Sequence, residues 1–337
     1  MRNIIKSLVP LALMGALGVA IAQIPAPVLS TEKDADGKAL PFGRQPHKPS
    51  ETPLGSGPYK AIMATDDTLP AHVLYYPKDI AKAGKLPVIA WGNGACVNAG
   101  NRFRYFLTEI SSHGFLVIAS GVMAPITMEV GPQENPAVRP PGAPAPAPKK
   151  APDPAAQKGN PPTTAAQLTE AMDWAIKENS RKGSKFYNRL DVTKVAVAGQ
   201  SCGGGQAFSV AGDPRLTTVA FFSSGGGAAP NGSESPYAKI HTPVLYLTGD
   251  VEHDIAFQSG ISGYQGIDRY PVFSAWKEKL THIGTYGQPD GGELGKLADA
   301  WFSWQLRGDM KAAKVFKGAD CSLCTDSTWH VSKKKID

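Results

Sequence analysis

The chain has 337 residues, 42% of them hydrophobic, with a formal charge of +6 at neutral pH. That content is enough to bury a sizeable core, as one large α/β domain or two smaller ones. The charge is mild and no basic stripe is interleaved with aromatics, which argues against a nucleic-acid partner.

Residues 1–22 read as a secretory signal peptide: Arg2 and Lys6 open it, Leu8 to Ile21 is apolar, and Ala20-Ile21-Ala22 fits a cleavage site. The apolar stretch is too short for a membrane anchor and has no stop-transfer flank, so no stable membrane insertion is expected. The expected mature chain starts near Gln23, is secreted or periplasmic, and carries +4. Residues 23–57, rich in Pro, Lys, Asp and Gly, read as a linker or arm.

Residues 58–318 read as the main domain. Tyr59 to Thr65 and His72 to Tyr76 suit an opening antiparallel pair of strands. Val88-Ile89-Ala90-Trp91 is a buried strand ending at Gly92-Asn93-Gly94. A helix follows with Phe103, Phe106, Leu107 and Ile110 on one face, stopped by His113-Gly114. Phe115 to Ala119 is the next buried strand. Residues 131–162, with PPGAPAPAP at their centre, form a Pro/Ala-rich insertion expected to be a solvated, polyproline-like excursion within one domain. A boundary between two domains is the alternative. Leu168, Met172, Ala175 and Ile176 then mark an amphipathic helix over Gln167 to Asn179. Val195 to Ala198, Thr218 to Ser223, Val244 to Thr248 and Val272 to Trp276 are further strands, and Leu297 to Leu306 is a closing helix. Strands alternating with helices indicate an α/β fold: a mostly parallel central sheet with helices on both faces. Residues 319–337 read as a C-terminal tail, with Lys333-Lys334-Lys335 a solvated charge run.

The most informative stretch is Val195 to Phe208. A β-branched strand ends in Gly199-Gln200-Ser201-Cys202-Gly203, a match to G-x-S-x-G, before a helix of small residues. In that motif a serine sits on a sharp strand-to-helix turn with its hydroxyl exposed above the sheet. A glycine-rich turn with an incidental serine is the plainer reading. A serine nucleophile needs a base, an acid to orient the base, and N–H donors for the oxyanion. With partners in the order acid then histidine, His282, in a loop just after the Val272 to Trp276 strand, is the candidate base. His241 stands at the wrong end of a strand, His330 in the tail, and His253 too close to any preceding acid. Asp250 and Asp254 both follow the Val244 to Thr248 strand, and position alone does not separate them. The oxyanion donors are expected at the amide of Cys202 and in the Gly92 to Cys96 loop at Asn93.

The four cysteines suit two disulfides in an exported protein, among three possible pairings. Cys321 and Cys324 suit a local loop, which leaves Cys96 with Cys202 and ties the two oxyanion segments together. A zinc site is the rival reading of the CxxC, but no second pair of ligands has suitable spacing.

The set PVIAWGNG, SHGFLVIA, VAVAGQSCGG, PVLYLTGDVEHDIA and THIGTY resembles the α/β-hydrolase superfamily, and within it the secreted cutinase-, chlorophyllase- and dienelactone-hydrolase-like serine esterases. Dienelactone hydrolases carry cysteine where Ser201 stands. The resemblance implies an α/β-hydrolase fold, hydrolysis of short-chain or polyester-type esters through an acyl-enzyme, and no metal or organic cofactor. In cutinase-like enzymes the acid precedes an Ile-Ala pair, which favours Asp254 over Asp250. His113 in the SHGF segment precedes the nucleophile and is structural. A small or polymeric ester is the expected partner of a monomeric protein, with Trp91 and Phe257 as candidate apolar walls or, equally, core residues. A secreted serine peptidase with the same triad, or a non-catalytic α/β-hydrolase-like binding protein, are the alternatives.

Overall fold

The computed structural model describes residues 29–33, 39–41, 50–124, 161–226 and 235–337. The leader expected at 1–22 and all but the last two residues of the insertion at 131–162 lie outside them. Two short strands, β1 (Leu29–Lys33) and β2 (Ala39–Pro41), pair with each other. The remaining strands are β3 (Ser50–Leu54), β4 (Ala61–Ala64), β5 (His72–Pro77), β6 (Leu86–Gly92), β7 (Leu116–Ser120), β8 (Leu190–Gln200), β9 (Leu216–Phe222), β10 (Val244–Gly249), β11 (Val272–Lys277) and β12 (Trp329–Lys334). They form one sheet in the order β12-β11-β10-β9-β8-β6-β7-β5-β4-β3. Neighbours from β7 through β11 run parallel, and the flanks are antiparallel.

Both faces of the parallel centre are covered, which is why these strands are continuous apolar runs. The register aligns Ile118, Ala90, Val197, Val219, Val244 and Val272 across six strands. All six point to one core, with Leu168 and Met172 of helix Ala165–Ser180 and Ala207 and Phe208 of helix Cys202–Val210. One residue further, Ala119, Trp91, Ala198, Ala220, Leu245 and Phe273 point to the other. There they meet Phe106 and Ile110 of helix Arg104–Ser112 and Trp301 and Phe302 of helix Gly292–Arg307. The period of two along each strand separates the cores. This is the α/β-hydrolase fold.

The ends of the domain differ from expectation. Residues 50–54, read as part of the arm, are the edge strand β3. The presumed tail 319–337 contributes β12, antiparallel to β11 with Trp276 opposite His330. Its lysines are not a free charge run: the Lys334 ammonium donates to the carbonyls of Tyr264 (2.9 Å) and Ile267 (3.1 Å) and to Asp268 (2.7 Å). There it closes the carbonyl end of helix Phe257–Gly266, where positive charge is favourable. Cys321, Leu323 and Trp329 enter the core beside Phe316. Among the described residues, no helix is long and apolar enough to cross a membrane.

Candidate active site

β8 delivers Ser201 at the carboxyl edge of the sheet in a conformation side chains avoid, φ +53° and ψ −120°. Close backbone contact on every side holds it there. A Cβ on Gly199 would lie 2.4 Å from the Gly203 carbonyl, and one on Gly203 would lie 2.1 Å from the Gly92 carbonyl. Only glycine allows β6, β8 and the following helix to approach so closely. Gly205, by contrast, faces open space. The Ser201 amide donates to the Phe222 carbonyl (3.1 Å), and the Ser224 hydroxyl donates to the Ser201 carbonyl (2.8 Å). The end of β9 thereby braces the turn from behind.

His282 arrives from the loop after β11. Its Nε2 lies 2.9 Å from Ser201 Oγ, and its Nδ1 lies 2.7 Å from Asp254 Oδ1. Asp254 is fully buried, and its oxygens also accept from the amides of Gly249 (2.9 Å) and Ala256 (2.8 Å). Those two donors hold the carboxylate in place beside the imidazole.

Asp250 faces elsewhere. It accepts from the ring (2.6 Å) and amide (2.9 Å) of His253 and from the Lys279 amide (2.6 Å), closing the turns after β10 and β11. Burial pushes this carboxyl up, but the Lys279 amide and His253 outweigh it and hold it below the usual range. The structure thus brings Ser201, Asp254 and His282 together and leaves Asp250 as a turn residue.

The loop after β6 lies against the elbow. A Cβ on Gly203 would lie 2.5 Å from the Asn93 nitrogen, so this amide stands beside the first turn of helix Cys202–Val210. The Asn93 side chain is buried: it donates to the carbonyls of Ala99 (2.9 Å) and Ser120 (2.6 Å) and accepts from the Trp91 indole (3.2 Å). Cys202, first residue of its helix, has an amide with no earlier helical carbonyl to meet. A disulfide joins it to Cys96, with Cα atoms 5.3 Å apart. A second bridge links Cys321 and Cys324. The Cys96 carbonyl accepts from the Thr163 amide (2.9 Å), and Gln206 donates to the Thr163 carbonyl (2.6 Å).

Of the two candidate walls, Trp91 is wholly buried among Phe103, Phe106 and Phe222. Of its two readings the core one holds, because alternation along β6 turns Trp91 inward. Phe257 is half-buried against the edge of Trp276. Three neighbours escaped the sequence reading: Gln200, Ser224 and Tyr286. Gln200 had one signal, its place directly before the serine. Tyr286 is buried between Phe103 and Phe106, and that burial pushes its phenol above the ordinary range, so it stays neutral.

The fold is that of the α/β hydrolases, with Ser201 on the strained turn at the carboxyl edge of β8. Residues 153–269, about a third of the chain, match the PETase family model, described as PET hydrolase-like. This supports the resemblance to the cutinase-like hydrolases, and the matched span holds Ser201 and Asp254. A comparison with curated proteins gives no match.

Proposed function

We propose that the protein is an exported serine ester hydrolase. The observation that carries this reading is the chain of contacts from Ser201 Oγ to His282 Nε2 at 2.9 Å and from His282 Nδ1 to Asp254 at 2.7 Å. In the proposed reaction Ser201 Oγ attacks the ester carbonyl carbon and gives its proton to His282 Nε2. Asp254 keeps the other proton on Nδ1 and stabilises the imidazolium that forms. The amides of Cys202 and Asn93 receive the oxyanion. Collapse expels the alcohol, which takes the proton from His282, and leaves the acyl group on Ser201. Water repeats the sequence and releases the acid. The PET hydrolase-like match supports a substrate class that takes in polyesters as well as small esters. Export is supported by the two disulfides together with the leader-like N-terminus.

The test is Ser201→Ala, assayed on p-nitrophenyl butyrate and on polyester film. Turnover should fall by at least about 10⁴-fold on both. Near-native turnover would overturn the mechanism. Amide cleavage without ester preference would make the protein a peptidase. Failure of Ser201 to take a fluorophosphonate label would make it a binding protein.

A further inference from the structure

His282 sits in a loop held to its surroundings at separate atoms. Its amide donates to the His253 carbonyl (3.0 Å), and Asp254 holds Nδ1. Its carbonyl accepts from Nε2 of Gln200 at 2.9 Å, and that same nitrogen lies 3.4 Å from His282 Nε2. Gln200 is the last residue of β8 and is 3% exposed. The carbonyl acceptor fixes which way the amide points, NH₂ towards His282. The amide oxygen then lies against Gly94, where a Cβ would come within 1.9 Å of it. One buried side chain therefore spans the elbow, the base loop and the oxyanion loop.

We propose that Gln200 is a positioning residue for the base, tying the His282 backbone to the nucleophile strand so that Nε2 stays in line with Ser201 Oγ, and that Gly94 is glycine to make room for it. This rests on the reading of Ser201 and His282 as the reacting pair. Asp254 alone leaves the ring free to swing about the Nδ1 contact. The tie from Gln200 to the backbone carbonyl, added to the amide's bond to His253, removes that freedom. Small losses of alignment at a proton-transfer pair cost rate rather than substrate affinity.

Gln200→Met keeps the length and volume of the side chain and removes the donor. The expected result is a kcat about tenfold lower with KM within about twofold, and a matching drop in the rate of fluorophosphonate labelling of Ser201. Gln200→Glu sets an acceptor against the carbonyl and should fall further. Gly94→Ala should reproduce the kcat loss in the native background and add little in Gln200→Ala, because the obstructing amide is then gone. Wild-type kcat in Gln200→Met, a loss confined to KM, or additive losses for the Gly94 and Gln200 substitutions would each overturn the assignment. The Ser201→Ala control separates the two claims. If it is inactive while Gln200→Met is unchanged, the positioning role alone fails. If it retains turnover, the hydrolase reading fails with it.

Discussion

Two histidines in this molecule each sit against a buried carboxylate, and they are built for opposite tasks. His282 has Asp254 on Nδ1 and a hydroxyl, Ser201 Oγ, on Nε2. His113, after helix Arg104–Ser112, has Glu109 on Nε2 at 3.1 Å and Asp299 on Nδ1 at 3.3 Å. A ring between two carboxylates needs both N–H groups and has no lone pair to offer. A ring between a carboxylate and a hydroxyl keeps one lone pair pointed at a proton it can take. The second partner decides, and it makes His113 a clamp between two helices. Burial pulls the His113 ring down, but its bond to Glu109 and the charges of Asp299 and Glu109 outweigh burial and the opposing Lys60, so it is held above its ordinary range. Burial raises the Asp299 carboxyl to about 6, against the pull of His113. On Glu109 burial is outweighed by His113 and Ser56, and this carboxyl is held below its usual value.

The largest contrast is expected from deleting each ring. His282→Ala should lower kcat/KM by about 10³-fold or more and leave the unfolding midpoint near that of the parent. His113→Ala should do the reverse, with kcat nearly unchanged and about 1–3 kcal/mol of stability lost in denaturant melts, because two carboxylates lose their shared partner. Equal effects of the two on kcat would break the distinction.

The same logic separates the aspartates. Asp254→Asn removes the charge that stabilises the imidazolium, and kcat should fall by about 10³-fold or more. Asp250→Asn weakens the turns after β10 and β11, and should change kcat by no more than about threefold while lowering the melting midpoint. A large kcat loss confined to Asp250→Asn would reverse the assignment of the acid.

The smallest effect is a pH dependence. A histidine whose folded value is raised contributes stability that is fully present below its unfolded value of 6.5 and is lost as pH rises through the folded value. Asp299, also raised, acts with the same sign between 3.8 and about 6, and Glu109, lowered, has the opposite sign at the acid end. Above pH 6.5 the His113 clamp therefore governs. The stability difference between the parent and His113→Gln should be largest near pH 6 and shrink towards pH 9. A constant difference would mean that packing, not charge, holds these helices.

Much of the centre of the fold was legible because its signals are local. The buried centres of β6 to β11 are short apolar runs, and strands covered on both faces have that composition wherever they occur. The strand, the glycine-flanked serine and the small-residue helix stand together between Val195 and Phe208, so the turn is readable as one unit. The edges were not legible. β12 carries Lys333 and Lys334 because an edge strand has one neighbour and an open side, where charge is tolerated. A lysine run therefore looked like a tail until pairing with β11 placed it. Ser50–Leu54 failed for the same reason: a short polar segment becomes a strand only through β4.

The amino-acid order by itself determined the elbow and the alternation that divides the two cores, since each follows from near neighbours along the chain. Chain position left Asp250 and Asp254, four residues apart on one loop, unseparated; a resemblance favoured Asp254, and the tertiary structure separates their partners. The turn after β10 directs Asp254 inward to the Gly249 and Ala256 amides and to His282, and leaves Asp250 to the Lys279 amide. The tertiary structure also decided the work of Gln200 and the clamp at His113, because their partners lie 82 and up to 186 residues away and meet only when the sheet has closed.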